Sequence, residues 1–274
     1  MFLEYWGLVK EPFINVPDPE FLFPSPKHEE ALMRLLYVIQ GRRGAAVLTG
    51  DIGCGKTLVS RTLVNELSPQ RYDVAVVTSP ILTPVQFLRE IIYQFEGDKD
   101  NRATPQRVDC LHAINRRMIS NYQSGRDTIV IIDEAHLVME KKGILEELRL
   151  LLNFQLNDRF LLTLLLIGQL DLEEKIKRVP ALKQRIAIKY RLLPLTQKET
   201  ADYIAFRTRK AGAPRELFSE GAAQEIYRIA EGTPRRINSL CDLSLLVGFE
   251  EKATLIDEKI VQAALTGACW GAEV

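Results

Sequence analysis

The segment Gly50-Asp51-Ile52-Gly53-Cys54-Gly55-Lys56-Thr57 constrains this chain more than any other stretch of it. It matches G-x-x-x-x-G-K-[ST] without a mismatch. It also lies between an apolar strand-like run, Ala45-Ala46-Val47-Leu48-Thr49, and a segment whose Leu58, Val59, Thr62, Leu63 and Leu67 recur at near-helical spacing. Glycines at 50, 53 and 55 let the backbone take conformations closed to residues with a side chain. Successive N–H groups then converge on phosphate oxygens at the positive end of the following helix. The pattern predicts a bound nucleoside triphosphate held by Gly50, Asp51, Ile52, Gly53, Cys54, Gly55, Lys56, Thr57 and Leu58. Lys56 reaches the β- and γ-phosphates as a point charge, and the Thr57 hydroxyl ligates Mg²⁺. Cys54 occupies a free position of the loop: it is either a small residue that fits, or a redox switch whose thiolate is favoured by the helix N-terminus.

Beyond the loop, apolar runs expected as strands at 45–49, 73–78, 128–133, 161–167 and 188–192 alternate with helical patterns at 27–39, 58–67, 84–95, 108–122 and 143–154. Strands that are apolar almost throughout are buried on both faces, so the fold class is α/β: a three-layer αβα sandwich around a parallel sheet. Past Pro194 the pattern turns wholly helical, at 197–211, 219–231, 235–249 and 257–265. The first 26 residues carry Pro12, Pro17, Pro19, Pro24 and Pro26 among Phe13, Phe21, Leu22 and Phe23. They read as an extended segment pinned by aromatics across the open side of the nucleotide pocket, with Ser25 capping the helix that Pro26 opens. The expected organisation is an N-terminal segment at 1–26, an α/β domain at 27–193 and a helical domain at 194–274.

Ile129-Val130-Ile131-Ile132-Asp133-Glu134 is an apolar strand ending in two acids, the arrangement called Walker B. Parallel sheets gather their active sites at strand C-termini, so these carboxylates are expected at the same crevice as the loop. Asp133 is expected to hold Mg²⁺ through a water molecule, and Glu134 to polarise the attacking water. Gln169 follows the run Leu164-Leu165-Leu166-Ile167-Gly168; it either orients the water or senses the γ-phosphate, or its amide is satisfied by loop backbone. Arg185 precedes the last strand and suits insertion into an adjacent subunit's site, with Arg178 and Arg191 as rivals. In Gly232-Thr233-Pro234-Arg235-Arg236 two arginines occupy a helix's first turn, against its dipole, which points to an anionic partner. Arg235 is expected to contact the phosphates from the helical domain.

Across 274 residues, 36 Lys and Arg balance 36 Asp and Glu, so the overall charge calls for neither nucleic acid nor an anionic membrane. Arg102, Arg107, Arg116, Arg117 and Arg126 form either a DNA-facing channel or a solvated helix face. Four cysteines, at 54, 110, 241 and 269, show no metal or disulfide spacing, so a reducing, cytoplasmic location is expected. The opening residues are not a signal peptide, and no apolar run approaches the ~20 residues of a membrane span.

With these residues in place the chain resembles the AAA+ ATPases, and among them the ExeA/GspA-like group (general secretion pathway A), which is related to transposition ATPases such as MuB and TnsC. The likeness runs through Tyr5-Trp6-Gly7-Leu8, Pro12-Phe13, His28-Glu29-Glu30-Ala31-Leu32, the phosphate loop, Asp133-Glu134-Ala135-His136, Gly168-Gln169, Gln184-Arg185-Ile186, Leu193-Pro194-Leu195 and Gly232-Thr233-Pro234-Arg235-Arg236-Ile237-Asn238. The resemblance implies a P-loop NTPase fold with a helical lid domain. It further implies ATP and Mg²⁺ as ligands, Gln169 as sensor 1, Arg185 as the arginine finger, Arg235 as sensor 2, and assembly into rings or filaments with ATP at subunit interfaces. Ser79 departs from the asparagine that the resemblance leads one to expect. The implied function is ATP hydrolysis that drives or switches assembly and engagement of a client protein, a secretion component or a transposase. The alternative is an ATP-dependent platform on DNA that regulates a transposase and hydrolyses ATP to disassemble.

Overall fold

The apolar runs become the strands of a five-stranded sheet in the computed structural model, which describes residues 2–78, 82–97, 106–138, 142–156 and 159–267. In chain order the elements are α1 (Phe2–Trp6), a 3-10 turn (Pro19–Phe21), α2 (Pro26–Gln40), β1 (Ala45–Gly50), α3 (Lys56–Glu66), β2 (Tyr72–Val77), α4 (Pro84–Glu96), α5 (Arg107–Gln123), β3 (Asp127–Ile132), α6 (Ala135–Val138) and α7 (Lys142–Leu151). There follow β4 (Gln155–Leu156), β5 (Arg159–Phe160), β6 (Leu162–Gly168), α8 (Asp171–Lys177), α9 (Pro180–Lys183), β7 (Ile186–Leu192), α10 (Gln197–Lys210), α11 (Glu220–Ala230), α12 (Pro234–Glu250) and α13 (Glu258–Gly267).

The sheet order is β2-β3-β6-β1-β7, with every neighbouring pair parallel. β1, β3 and β6 are buried along their whole length, as their continuous apolar sequences demand, whereas edge strand β7 alternates between half-buried and exposed residues up to the buried Leu192 at its end. Register pairs Thr49 with Gly168 and Ile132 with Leu166, so the C-terminal ends of β3, β6 and β1 lie side by side. Phe87, Leu88 and Ile91 of α4, Ile114 and Met118 of α5, and Leu148 of α7 pack one core with Val130, Ile132, Leu164 and Leu166. The short hairpin β4–β5 and the helices α6, α8 and α9 are additions that periodicity did not reveal; runs of two to seven residues are too brief to display a period.

By internal contacts the chain forms two compact units. The sheet unit comprises Glu29–Ile52 and Lys56–Leu192, and the other comprises Met1–His28, Gly53–Gly55 and Leu193–Val274. In the second unit, Ile204, Ala222, Ile226, Ile237, Leu245 and Val261 of α10–α13 enclose a core that also contains Trp6, Leu8, Phe13 and Phe21. The N-terminal segment therefore differs from the extended strip expected of it. Residues 2–6 precede the first proline and coil into α1. Further along, Pro19 opens the 3-10 turn, where the Asp18 carboxylate accepts the Glu20 N–H at 3.0 Å. Its aromatics are also spent on the helical core: Trp6 Nε1–H donates to Leu245 O at 3.1 Å, and Phe13 meets Phe218 edge-on at 5.8 Å. Arg207 ties the segment down, donating to Pro12 O at 2.5 Å and Ile14 O at 3.3 Å while lying 4.8 Å over the Phe21 ring. Among the described residues no helix is long and apolar enough to cross a membrane.

Candidate active site

The loop that leaves β1 is built on two left-handed glycines, Gly53 at φ +82° and Gly55 at φ +97°. A Cβ on Gly53 would lie 2.7 Å from the Arg235 Cβ, and one on Gly55 would lie 2.9 Å from the His28 Nε2, so both conformation and space exclude a side chain. Asp51 and Ile52 are exposed at the loop's tip, Leu58 is half-buried in the first turn of α3, and Cys54 is buried. Burial removes the solvent access that a redox role for Cys54 needs and leaves the steric reading.

Lys56 opens α3 with its side chain turned back under the loop. Its Nζ donates to Gly50 O at 2.9 Å and Asp51 O at 2.8 Å, which satisfies an ammonium only 6% exposed. Next to it, Thr57 Oγ1 donates to Asp133 Oδ2 at 2.8 Å, and the other carboxylate oxygen of Asp133 accepts the Glu134 N–H at 3.0 Å. The Thr57 hydroxyl and the Asp133 carboxylate are thus neighbouring oxygen donors, the ligand chemistry of a hard divalent cation such as Mg²⁺. Glu134 follows in a left-handed conformation, φ +52°, which costs a side-chain-bearing residue roughly 1–3 kcal/mol and redirects the chain at the end of β3.

Gln169 leaves the end of β6, and its N–H points to His136 Nδ1 at 3.4 Å; the same nitrogen lies 3.3 Å from Glu134 Oε2. One ring nitrogen offers either a lone pair or a proton, so it serves the amide or the carboxylate, never both at once. Lys175 fixes this corner by donating to His136 O at 2.9 Å while pairing with Asp171 at 2.8 Å. Burial, the largest single influence, would raise the Asp171 carboxyl, but the hydrogen bond and the charge of Lys175, with smaller influences, together outweigh it and hold the group below the usual carboxylate range.

Lys56, Thr57, Asp133, Glu134 and Gln169 are therefore gathered at one end of the sheet. Arg185 is not. It sits at the opposite end, where its carbonyl accepts the N–H of Ala45 at 3.0 Å, and its guanidinium donates to Ala181 O at 3.0 Å and to Asn153 Oδ1. Its rivals Arg178 and Arg191 are exposed. In the helical unit the two first-turn arginines part company: Arg236 pairs with Glu231 at 3.2 Å, while Arg235 donates its backbone N–H to Gly53 O at 3.2 Å. Arg236 thus has its acid within the chain, which corrects the expectation that both arginines await an outside anion.

Three of the arginines considered for a DNA channel are also paired internally. Arg107 binds Glu147 at 2.5 Å, and Arg117 and Arg126 meet Asp73 at 2.7 and 3.5 Å. Sequence reasoning gave no role to His28 or His136, although both stand in the motifs quoted above; the spacing Ser25-Pro26-Lys27-His28 was the available signal for the first. Ser79, Arg102, Cys269 and Trp270 lie outside the described residues.

A family model described as an AAA domain matches residues 39–176. The chain is 36% identical over 251 residues to General secretion pathway protein A of Aeromonas hydrophila, an alignment covering 91% of this chain and 45% of that protein. It is 26% identical to an uncharacterized HTH-type transcriptional regulator of Methanocaldococcus jannaschii, covering 83% of this chain and 64% of that protein. The chain thus spans about half the length of the first relative and under two thirds of the second. Among solved structures, the Aeropyrum pernix ORC2 protein in ADPNP-ADP complexes is similar at a TM-score of 0.72 and 18% identity, covering 94% of this chain and 71% of that one. Drosophila ORC bound to DNA gives 0.68 and 18%, covering 93% and 63%. The Thermotoga maritima RuvB Holliday junction branch migration motor gives 0.60 and 19%, covering 87% and 68%. At such identities these likenesses establish the fold.

Proposed function

The chain belongs to the AAA domain family, and on that premise we propose that it binds ATP with Mg²⁺ on the loop at 50–58, hydrolyses it to ADP and phosphate, and uses the nucleotide state to control its own assembly and its engagement of a client protein. The observation that carries this reading is the 2.8 Å bond between Thr57 and Asp133, which unites the loop and the acid pair in one cation-suited donor set. Mg²⁺, when bound there, would offset charge on the phosphate oxygens. Lys56 supplies a fixed positive charge to the same oxygens, Glu134 accepts a proton from the attacking water, and Gln169 orients that water or contacts the γ-phosphate. Arg235, tied to the loop through its backbone, reads the phosphates as sensor 2.

Arg185 lies too far from its own loop to act there, which supports its role as a finger supplied to the next subunit. A finger in trans requires a heterologous interface, and so rings or filaments. The secretion name of the 36%-identical relative makes a secretion component the first candidate client. A DNA platform draws support from the HTH-type relative and from a structural neighbour bound to DNA. Against it, three of the five arginines it would use, Arg107, Arg117 and Arg126, are paired with acids of this chain. Buried cysteines at 54, 110 and 241, with no metal or disulfide spacing in the sequence, accord with a reducing, cytoplasmic location.

The test is phosphate release by purified protein with ATP and Mg²⁺, beside Glu134→Gln. Loss of a positioned base lowers turnover by about 10²-fold or more while ATP binding persists. Absence of ATP binding by the unaltered chain overturns the proposal.

A further inference from the structure

We propose that His28 is a positioning residue of the phosphate loop: held in one tautomer by Ser25, it grips the Cys54 carbonyl and thereby sets the direction in which Gly55 presents its N–H. This inference rests on the ATP-site reading above. The His28 Nε2 lies 3.2 Å from Cys54 O, and its Nδ1 lies 2.7 Å from Ser25 Oγ. A carbonyl oxygen only accepts, so Nε2 carries a proton; in the neutral ring Nδ1 is then a bare acceptor and takes the proton of the Ser25 hydroxyl. The same hydroxyl oxygen caps α2 by accepting the His28 backbone N–H at 3.4 Å. Every donor thus meets an acceptor in one direction, from the start of α2 through the imidazole to the loop.

Ser25, His28 and Cys54 are all buried. Burial pushes the His28 ring below the ordinary histidine value, with the Cys54 bond and the opposed charges of Glu199 and Lys27 as smaller influences, so the neutral form is the resident one. Those two charges are occupied with each other at 3.2 Å, and Lys27 also donates to Pro194 O at 2.7 Å. The Cys54–Gly55 peptide is planar and trans, so its oxygen and the Gly55 N–H point in opposite directions, and anchoring one aims the other. The ring packs so closely on the loop that only glycine fits at position 55. A donor aimed in advance spares the loop reorganisation when phosphate arrives.

The experiment compares the full chain with His28→Phe, which keeps a ring without a donor, and His28→Gln, which restores an N–H donor. Affinity for ATP with Mg²⁺, KM and kcat, melting temperature and the ¹⁵N resonances of the wild-type ring are measured. The expected result is about tenfold weaker ATP binding in His28→Phe, the scale of one hydrogen bond. KM should rise more than kcat falls, His28→Gln should recover most of the loss, and the wild-type ring should be in the Nε2–H form and shift when ATP is added. Wild-type affinity in a folded His28→Phe, or an Nδ1–H ring in the wild type, overturns the inference. If His28→Phe does not fold, Ser25→Ala takes its place, and unchanged ATP affinity together with an unchanged tautomer is the overturning result. Failure of the wild type itself to bind ATP is a separate outcome that removes the ATP reading and this inference with it, whereas a binding wild type with indifferent variants removes only the role of His28.

Discussion

Thr57 donates its hydroxyl to the Asp133 carboxylate at 2.8 Å, joining residues 76 positions apart. The bond exists because β6 alone separates β1 from β3, and the parallel strands turn their C-terminal ends to the same end of the sheet. A chemistry divided between two motifs becomes a single donor pair through sheet order.

That pair predicts a defect specific to the cation. Thr57→Ala removes one oxygen while leaving Lys56 and the glycines in place. Its half-maximal Mg²⁺ concentration for hydrolysis is expected to rise by about tenfold or more, and Thr57→Ser, which keeps the hydroxyl, to behave as wild type. A magnesium titration at saturating ATP measures this; equal midpoints in all three proteins would remove Thr57 from the cation site.

The position of Arg185 predicts complementation between inactive subunits. Arg185→Ala alone is expected to lose about 10³-fold in turnover, the scale of a missing arginine finger. Mixed with Glu134→Gln, it should regain activity in a ratio-dependent manner, because some interfaces then pair an intact finger with an intact base. Phosphate release across mixing ratios is the readout, and a flat profile would count against action in trans.

Trp6 predicts that the N-terminal segment is structural. The side chain is 1% exposed and hydrogen-bonded to Leu245 O. Trp6→Ala is expected to cost about 3–5 kcal/mol. Thermal denaturation measures the loss, and proteolysis should reach α10–α13 sooner. An unchanged melting temperature would mean that the segment is dispensable to the helical core.

Asp73 predicts an acid-sensitive contribution. Burial alone would raise its carboxyl, but bonds from Arg117 and Asn121 and the charge of Arg126 overcome this and hold it below the usual range. A folded value below the unfolded one, near ~3.9, means that the folded state binds fewer protons. The contribution is therefore complete above about pH 4 and disappears as pH falls through the folded value. Asp73→Asn should cost about 1–3 kcal/mol at neutral pH, discounted because Arg117 is 32% exposed, and the gap to wild type should close in acid. Urea titrations between pH 7 and 3 would show a constant gap if the pairing contributed nothing.

Gly168 predicts a packing limit at the end of β6. An added Cβ would lie 3.0 Å from Leu172 Cδ2 and 3.1 Å from His136 N, so Gly168→Ala needs the Leu172 side chain and the start of α6 to give by a few tenths of an ångström. The expected cost is about 1–3 kcal/mol, with slowed hydrolysis because Glu134 and Gln169 both meet His136 there. Unaltered stability and turnover would show that this corner yields freely.

The five sheet strands, most helices and the residues of the phosphate loop and acid pair were legible in the amino-acid order, because each is written in adjacent residues. A glycine-rich turn between strand and helix, an apolar run ending in Asp133 and Glu134, and the period of α10–α13 all depend on neighbours in the chain. Which partner each polar group takes was decided only in three dimensions. Arg107, Arg117 and Arg126 looked available to an outside anion until folding brought Glu147 and Asp73 to them. The proline-rich start looked like an extended strap until Trp6, Phe13 and Phe21 found more apolar surface inside the helical core than any surface position could offer. His28 carried only its spacing from Ser25 as a signal, since its bond to Cys54 exists only once the start of α2 and the loop are packed together. Local backbone preference acts over a few residues and is readable in their order, whereas burial and charge pairing reward whichever groups the completed fold makes neighbours.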